Sequence, residues 1–140
     1  MGIVLPAQRL AYVALALITI GVGSLVHLGG GSLAADVRDV AGDALWAMMI
    51  VWWLGAITPL AGLIGRGAAA YAVCVVVEVS QRWHAPMLDA IRATRLGQLV
   101  LGSGFDARDF LAYAVGVAGA VSLDAFWRRR RRRAAIPRGG

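Results

Sequence analysis

The sequence predicts an all-α, polytopic membrane protein: a four-transmembrane-helix bundle with a short interfacial or re-entrant helix between helices 3 and 4. Composition is the first reason, because 59% of the 140 residues are hydrophobic, 16% are charged and the mean hydropathy is +0.69. Soluble domains usually carry about a quarter charged residues. The second reason is that the apolar residues fall into runs close to the roughly 20 residues that an α-helix needs to cross a bilayer.

The predicted spans cover residues of about 10–28, 40–58, 62–81 and 108–127. Residues 1–127 then form one transmembrane domain, and residues 128–140 form a basic cytoplasmic tail. The first run is longer than the roughly 7–15 apolar residues of a signal peptide, so we expect a retained helix. The apolar run of the third span is short for crossing a bilayer. It crosses only if the helix tilts or if Arg66 extends its charged end to the interface.

The distribution of arginine predicts the orientation. All basic residues are arginine, and the tail alone, with Arg128–Arg133 and Arg138, accounts for the net charge of +6. Cytoplasmic segments of membrane proteins are enriched in basic residues, so we expect both termini in the cytoplasm and the chain in the cell membrane. Membrane lipids are the expected partners, with anionic lipid contacting Arg128, Arg129, Arg130, Arg131, Arg132 and Arg133. No nucleic-acid partner is expected, because the charge belongs to a tail and not to a surface.

The segment between the third and fourth spans is the least ordinary part of the chain. Asp89, Arg92 and Arg95 recur at three-residue spacing, which predicts that they lie along one side of a short helix. The apolar residues that follow are too few to cross a bilayer and favour an interfacial or re-entrant position. A turn is expected at residues 102–104, with Asp106 capping the last helix.

Ionisable residues inside spans are costly and often mark a functional site or an internal ion pair. Asp43, Glu78 and Asp109 all lie near the predicted outer side. There the loop between the last two spans is expected to cover the cluster of polar residues. Two arginines can bind a phosphate or a carboxylate. The alternative is that the same charged residues only pair with each other and fix how the loop folds back. The residues of the predicted ligand-binding cluster are Asp43, Glu78, Gln81, Asp89, Arg92, Arg95 and Asp109.

No nucleophile–base pair or metal signature supports catalysis, and we expect no catalytic residue, cofactor or metal. His27 and His84 are expected at the interface, and Cys74 as a buried thiol. The leading hypothesis is a non-enzymatic protein that recognises the head group of an envelope lipid or a glycan precursor. A structural or accessory subunit is the second hypothesis. A small transporter is the third, and it predicts a homodimer through the small residues Ala112, Gly116 and Ala120.

The block from Glu78 to Gly116 resembles domain-of-unknown-function family 2809, small bacterial integral membrane proteins. It is more weakly similar to VanZ-like membrane proteins of the cell envelope. Both resemblances imply a compact bundle of four or five helices, and neither implies an activity. The matching positions are Glu78, Gln81, Asp89, Arg92, Gly97, Leu101, Gly102, Phe105, Asp106, Asp109, Tyr113 and Gly116.

The orientation is testable at the tail. Replacing all six arginines of Arg128–Arg133 by glutamine should loosen the topology, because each contributes roughly 1 kcal/mol of attraction to anionic lipid. Replacement by lysine keeps the charge and should preserve the topology. A compartment-sensitive reporter fused after Gly140 measures the outcome, and a reporter that stays cytoplasmic in the glutamine variant would contradict the anchoring role.

Overall fold

The structure is a computed structural model that describes residues 4–29, 34–101 and 104–134. These residues form helices and no strand, which confirms the predicted all-α class. Four helices are long and apolar enough to cross a membrane, as predicted, and two short helices lie between the third and fourth of these. In chain order the helices are α1 (Val4–Gly29), α2 (Ala35–Ile57), α3 (Leu63–Ser80), α4 (Pro86–Arg92), α5 (Arg95–Leu101) and α6 (Asp109–Ala134).

The helices extend beyond the apolar runs that predicted them. α1 and α2 begin several residues before their first predicted membrane residues. α6 continues through Arg128–Arg133, which we call the arginine run, to Ala134. Helix boundaries follow backbone hydrogen bonding and propensity, and arginine is a good helix former. The arginines are therefore the last turns of α6, where positive charge interacts favourably with the negative end of the helix.

The loop contains two helices of seven residues each where one was predicted. The break comes at Thr94, whose hydroxyl donates to the carbonyl of Ile91 (2.7 Å) and accepts the backbone N–H of Gly97 (2.9 Å). This bond caps the start of α5. The turn also requires Gly97, because a Cβ there would collide with the carbonyl of Ile91.

The prediction that Asp89, Arg92 and Arg95 lie along one side of a single helix was therefore wrong for Arg95. Asp89 and Arg92 share α4, whereas Arg95 begins α5 and is exposed. Of the turn predicted at residues 102–104, the first two residues lie outside the described residues. Asp106 precedes α6 and accepts the backbone N–H of Arg108 (2.9 Å), so that it shapes the turn into the helix.

α2 is the central helix of the bundle, because it packs against α1, α3 and α6. It lies very close to α6, where a Cβ on Gly116 would collide with the backbone carbonyl of Ala44. Ala112 and Ala120 are buried on the same face of α6. The small-residue stripe predicted for a homodimer is thus already covered within the chain, and a second chain would have to displace α2 to use it.

The hydrophobic core lies between α1, α2, α3 and α6. Trp52 is 1% exposed, and its ring stacks on that of Tyr12 with the centroids 6.3 Å apart. Many large apolar side chains point outward instead, among them Leu17, Leu25 and Val76. Exposing such an apolar outer surface to water is unfavourable, whereas the hydrocarbon chains of a bilayer solvate it well.

The contact of α2 with α6 gives a stability prediction. Gly116→Ala should lower the free energy of unfolding by about 1–3 kcal/mol, because the new methyl group cannot fit without moving the backbone of α2. Gly42→Ala on α2 is the matched control, since its Cβ meets no atom within 4 Å. Thermal unfolding in detergent, followed by circular dichroism, measures both. Equal stability of the two variants would mean that α2 and α6 do not approach this closely.

Candidate functional site

The polar side chains buried in the bundle form a cluster near each of its ends. At the terminal end, α1 and α3 begin and α2 and α6 end; at the loop end, α3 ends beside the start of α6. From Arg66 to Glu78 along α3 is about 18 Å at the helical rise of about 1.5 Å per residue. That separation is smaller than the roughly 30 Å thickness of the hydrocarbon core. Both clusters therefore fit within the thickness of a bilayer.

At the loop end, Glu78 is 0% exposed and is bound by three donors. Its Oε2 accepts the Tyr113 hydroxyl (2.9 Å) and the Gln81 side-chain amide (3.0 Å), and its Oε1 accepts the backbone N–H of Asp106 (2.8 Å). We call Glu78, Gln81 and Tyr113 the Glu78 cluster. Three donors compensate for the desolvation of a buried carboxylate. They also attach α3 to α6 and to the residue that shapes the turn before α6.

Arg92 attaches α4 to the end of α3. Its Nη2 donates to the Ser80 carbonyl (2.7 Å) and its Nη1 to the Trp83 carbonyl (2.9 Å), and Nη1 lies 3.5 Å from the Asp89 carboxylate. A basic side chain stabilises a helix C-terminus by binding the carbonyls that the helix leaves unpaired. The guanidinium thus fixes the position of the loop above the bundle.

A cavity of about 490 Å³ lies between the end of α3 and the loop helices. Two polar atoms on its lining residues are buried without a hydrogen-bond partner: Oε1 of Gln81 and Nε of Arg92. Buried polar atoms are normally paired, so each of these has unused capacity to bind. Arg82 contributes an exposed guanidinium that lies 5.1 Å from the ring of Phe105. The polar residues that line the cavity are Gln81, Arg82, His84, Asp89, Arg92 and Gln98.

The structure therefore divides the predicted ligand-binding residues into groups. Gln81, Asp89 and Arg92 line the cavity, whereas Glu78 lies behind Gln81 with both oxygens occupied. Asp43 and Asp109 lie near each other and near Glu78, and neither lines the cavity. Arg95 is exposed and is not a lining residue.

Three residues that sequence reasoning left out of the site also line the cavity: Arg82, His84 and Gln98. The signal for Arg82 was its place one helical turn after Glu78. The sequence spacing between Gln98 and the other lining residues does not indicate the cavity, because the position of Gln98 depends on the helix break at Thr94. Beside the cavity, the guanidinium of Arg108 binds the Asp106 carboxylate and holds the pKa of Asp106 below its usual value. Asp106 is therefore ionised at neutral pH.

At the terminal end, Asp124 is buried and contacts three side chains. It accepts the Tyr12 hydroxyl (2.8 Å) and Nε of Arg128 (3.1 Å), and it lies 3.1 Å from Nη1 of Arg66. The Arg128 guanidinium also donates to the Tyr12 hydroxyl (3.0 Å). We call these four residues the Asp124 cluster. One carboxylate between two guanidiniums leaves the cluster with a net positive charge.

Tilting of the third span and extension of Arg66 to the interface were the two alternatives for that span, and the structure does not show the second. Arg66 is 3% exposed, and its guanidinium carbon lies 4.8 Å from the centre of the Tyr12 ring. Gly55 makes the space, because a Cβ there would lie 2.5 Å from Arg66 Nη1 and 2.9 Å from the Tyr12 ring. Sequence reasoning missed this cluster, although Asp124 and Arg128 stand at the four-residue spacing of a helical ion pair.

The described part of the chain holds no group of three or more His, Cys, Asp and Glu side chains arranged for a metal ion. Cys74 is buried with a free thiol, as predicted. Trp83 and His84 are exposed at the loop end. The chemistry available there is hydrogen bonding and ionic attraction: guanidiniums, an imidazole, two amides and the Asp89 carboxylate are arranged about one cavity.

The Asp124 cluster gives a prediction on stability. Asp124→Asn should lower the free energy of unfolding by about 3–5 kcal/mol, because it leaves buried guanidiniums without a counter-charge. Asp89→Asn is the matched control: its carboxylate is 45% exposed, and exposed ion pairs contribute about 1 kcal/mol or less. Unfolding in detergent measures both variants. Similar losses in the two variants would show that Asp124 is not the counter-charge of a buried cluster.

Comparison with known proteins identifies a family. No solved structure matches the chain. The model of the family described as "Protein of unknown function (DUF2809)" matches residues 33–117, which include α2, α3, the loop helices and the start of α6. The match contains the Glu78 cluster and the cavity, whereas three members of the Asp124 cluster lie outside it. The similarity to VanZ-like membrane proteins stays a prediction. Because the match covers more than half of the sequence, the chain belongs to the DUF2809 family.

Proposed function

We propose that this multi-pass membrane protein binds the polar head group of an envelope lipid or a glycan precursor in the cavity at the loop end. The observation that carries the proposal is the chemistry of the cavity. Arg82 and Arg92 supply cationic donors for a phosphate or carboxylate, and Gln81 Oε1 offers a buried acceptor for a hydroxyl group. A head group that combines an anionic group with hydroxyl groups can pair with both the cationic donors and the buried acceptor.

The position of the cavity supports a ligand that is held in a membrane. The cavity adjoins the last turn of α3, where the membrane-spanning part of that helix ends. Trp83 is 75% exposed next to it, and tryptophan is enriched at the level of lipid head groups. A lipid head group thus reaches the cavity from the side, while its tail stays in the bilayer.

Glu78 has a positioning role in this proposal. Both of its oxygens are occupied within the chain, so it holds Gln81 and the backbone of Asp106 in place instead of contacting the ligand. Arg92 combines two roles, because its two Nη atoms bind backbone carbonyls while its Nε has no partner. Among the described residues that line the cavity, no nucleophile lies beside a base, and this arrangement favours recognition over catalysis.

An accessory subunit with a purely structural cluster is the second candidate. The complete pairing of Glu78 favours it, because a carboxylate with three internal donors needs no ligand to be stable. Under this alternative, Glu78→Gln lowers the folded yield in detergent, and the cavity residues affect no binding. A small transporter is the third candidate, and the presence of Asp43 and Asp109 near each other within the apolar helices supports it.

The test compares two arginines of the same loop. Arg82→Gln should lower the retention of a polyprenyl phosphate or a polyprenyl diphosphate sugar by about tenfold or more, because a lost charge-assisted contact costs about 1.5–3 kcal/mol. Arg95→Gln removes the same charge from an exposed residue away from the cavity and should leave retention unchanged. Native mass spectrometry of the purified protein with each added lipid measures retention.

Circular dichroism of both variants establishes that they fold. Equal retention by the wild-type protein and Arg82→Gln would remove the head-group proposal. Equal loss in Arg82→Gln and Arg95→Gln would indicate non-specific attraction to the basic loop and would also count against a cavity site.

A further inference from the structure

A groove of about 400 Å³ runs between α1 and α6 at the terminal end, far from the cavity described above. It forms because α1 packs along α2, whereas α6 packs against α2 and α3. The apolar wall comes from α1, where residues at helical spacing present one face to the groove. The lining residues are Ala11, Ala14, Leu15 and Ile18 from α1 and Trp127, Arg130 and Arg131 from α6.

The arginines of the run differ in their charge partners. Arg128 is bound by Asp124 and Tyr12 and belongs to the Asp124 cluster. Arg130 and Arg131 line the groove, and no acidic side chain of the described residues pairs with either of them. The Arg130 guanidinium carbon lies 4.6 Å from the centre of the Phe126 ring, which holds it beside an apolar surface. The groove therefore has two adjacent cations with no internal anion.

Polarity changes along the groove as it does along a phospholipid. Arg130 and Arg131 follow Trp127 by about 5–6 Å of helix, which places them at phosphate depth when Trp127 lies at the interface. The lining residues of α1, from Ala11 to Ile18, extend for about 10 Å toward the centre of the bundle, and each of these lining residues is apolar. The charged part thus faces the head-group region, and the apolar part faces the hydrocarbon.

We propose that this groove is a specific site for one anionic phospholipid in the leaflet that contacts the arginine run. The phosphate binds Arg130 and Arg131, and the first part of an acyl chain lies on Ala11, Ala14 and Ile18. Charge complementarity selects the occupant: two unpaired guanidiniums favour a lipid with a net negative charge over a zwitterionic one. General attraction of an arginine run to a membrane needs no groove, whereas this site depends on two of the six arginines.

The experiment compares two double variants that remove the same charge. Arg130→Gln with Arg131→Gln changes the groove, and Arg132→Gln with Arg133→Gln changes the next two residues of the same run. The protein is purified in detergent with dioleoylphosphatidylglycerol or dioleoylphosphatidylcholine, and native mass spectrometry measures how many molecules of each lipid it keeps. The wild-type protein should keep one phosphatidylglycerol in preference to phosphatidylcholine.

The groove variant should lose this preference by roughly tenfold or more, because the two guanidiniums that bind the phosphate directly are removed. The control variant should keep it within about twofold, because its arginines lie outside the groove. Ala14→Leu fills the apolar part without changing charge, and it should also lower phosphatidylglycerol retention. Circular dichroism and the oligomeric state are measured for every variant.

Equal loss in the two double variants would show diffuse attraction to the arginine run and would overturn the proposal. Unchanged preference in the groove variant would overturn it as well. If a second copy of the chain occupies the groove, Ala14→Leu converts a dimer to a monomer without affecting lipid preference. That result also excludes a lipid site.

Discussion

The arrangement at the loop end depends on the burial of one carboxylate. Glu78 lies inside the bundle, where an unpaired charge would cost several kcal/mol. The donors that remove this cost come from the next turn of α3, from α6 and from the backbone of Asp106. Satisfying Glu78 therefore determines where α6 begins relative to α3. The cavity exists because the connecting loop has to span those two fixed points.

The Asp124 cluster provides the corresponding constraint at the other end. Tyr12, Arg66 and Asp124 come from three different helices, so their contacts join elements that are distant in the sequence. Such pairs contribute little net stability compared with apolar packing, but breaking one side of a pair is expensive. They therefore determine which faces of the apolar helices pack together. Hydrophobic contact alone determines this only weakly in a bilayer.

The sequence predicts the fold class and the four long helices, because the length of an apolar run and the spacing of polar residues are local properties. It also predicts that Glu78, Gln81 and Arg92 come together. It does not predict the break at Thr94, which excludes Arg95 from the cavity and brings in Gln98, because that break depends on two hydrogen bonds of a single side chain. The position of Arg66 depends on space left by a glycine of another helix, and such distant matches are not visible in local patterns.

The ion pair of Asp124 with Arg128, four positions apart on α6, also determines how the arginine run is oriented. Since Arg128 is bound inside the bundle, the rotational phase of every later arginine around the axis of α6 is set from that point. One residue inserted after Arg128 would turn the rest of the run by about 100° while leaving its charge and composition unchanged. The same arginines would then point in a different direction around the axis of α6. The function of the run therefore depends on the orientation of its side chains as well as on its charge.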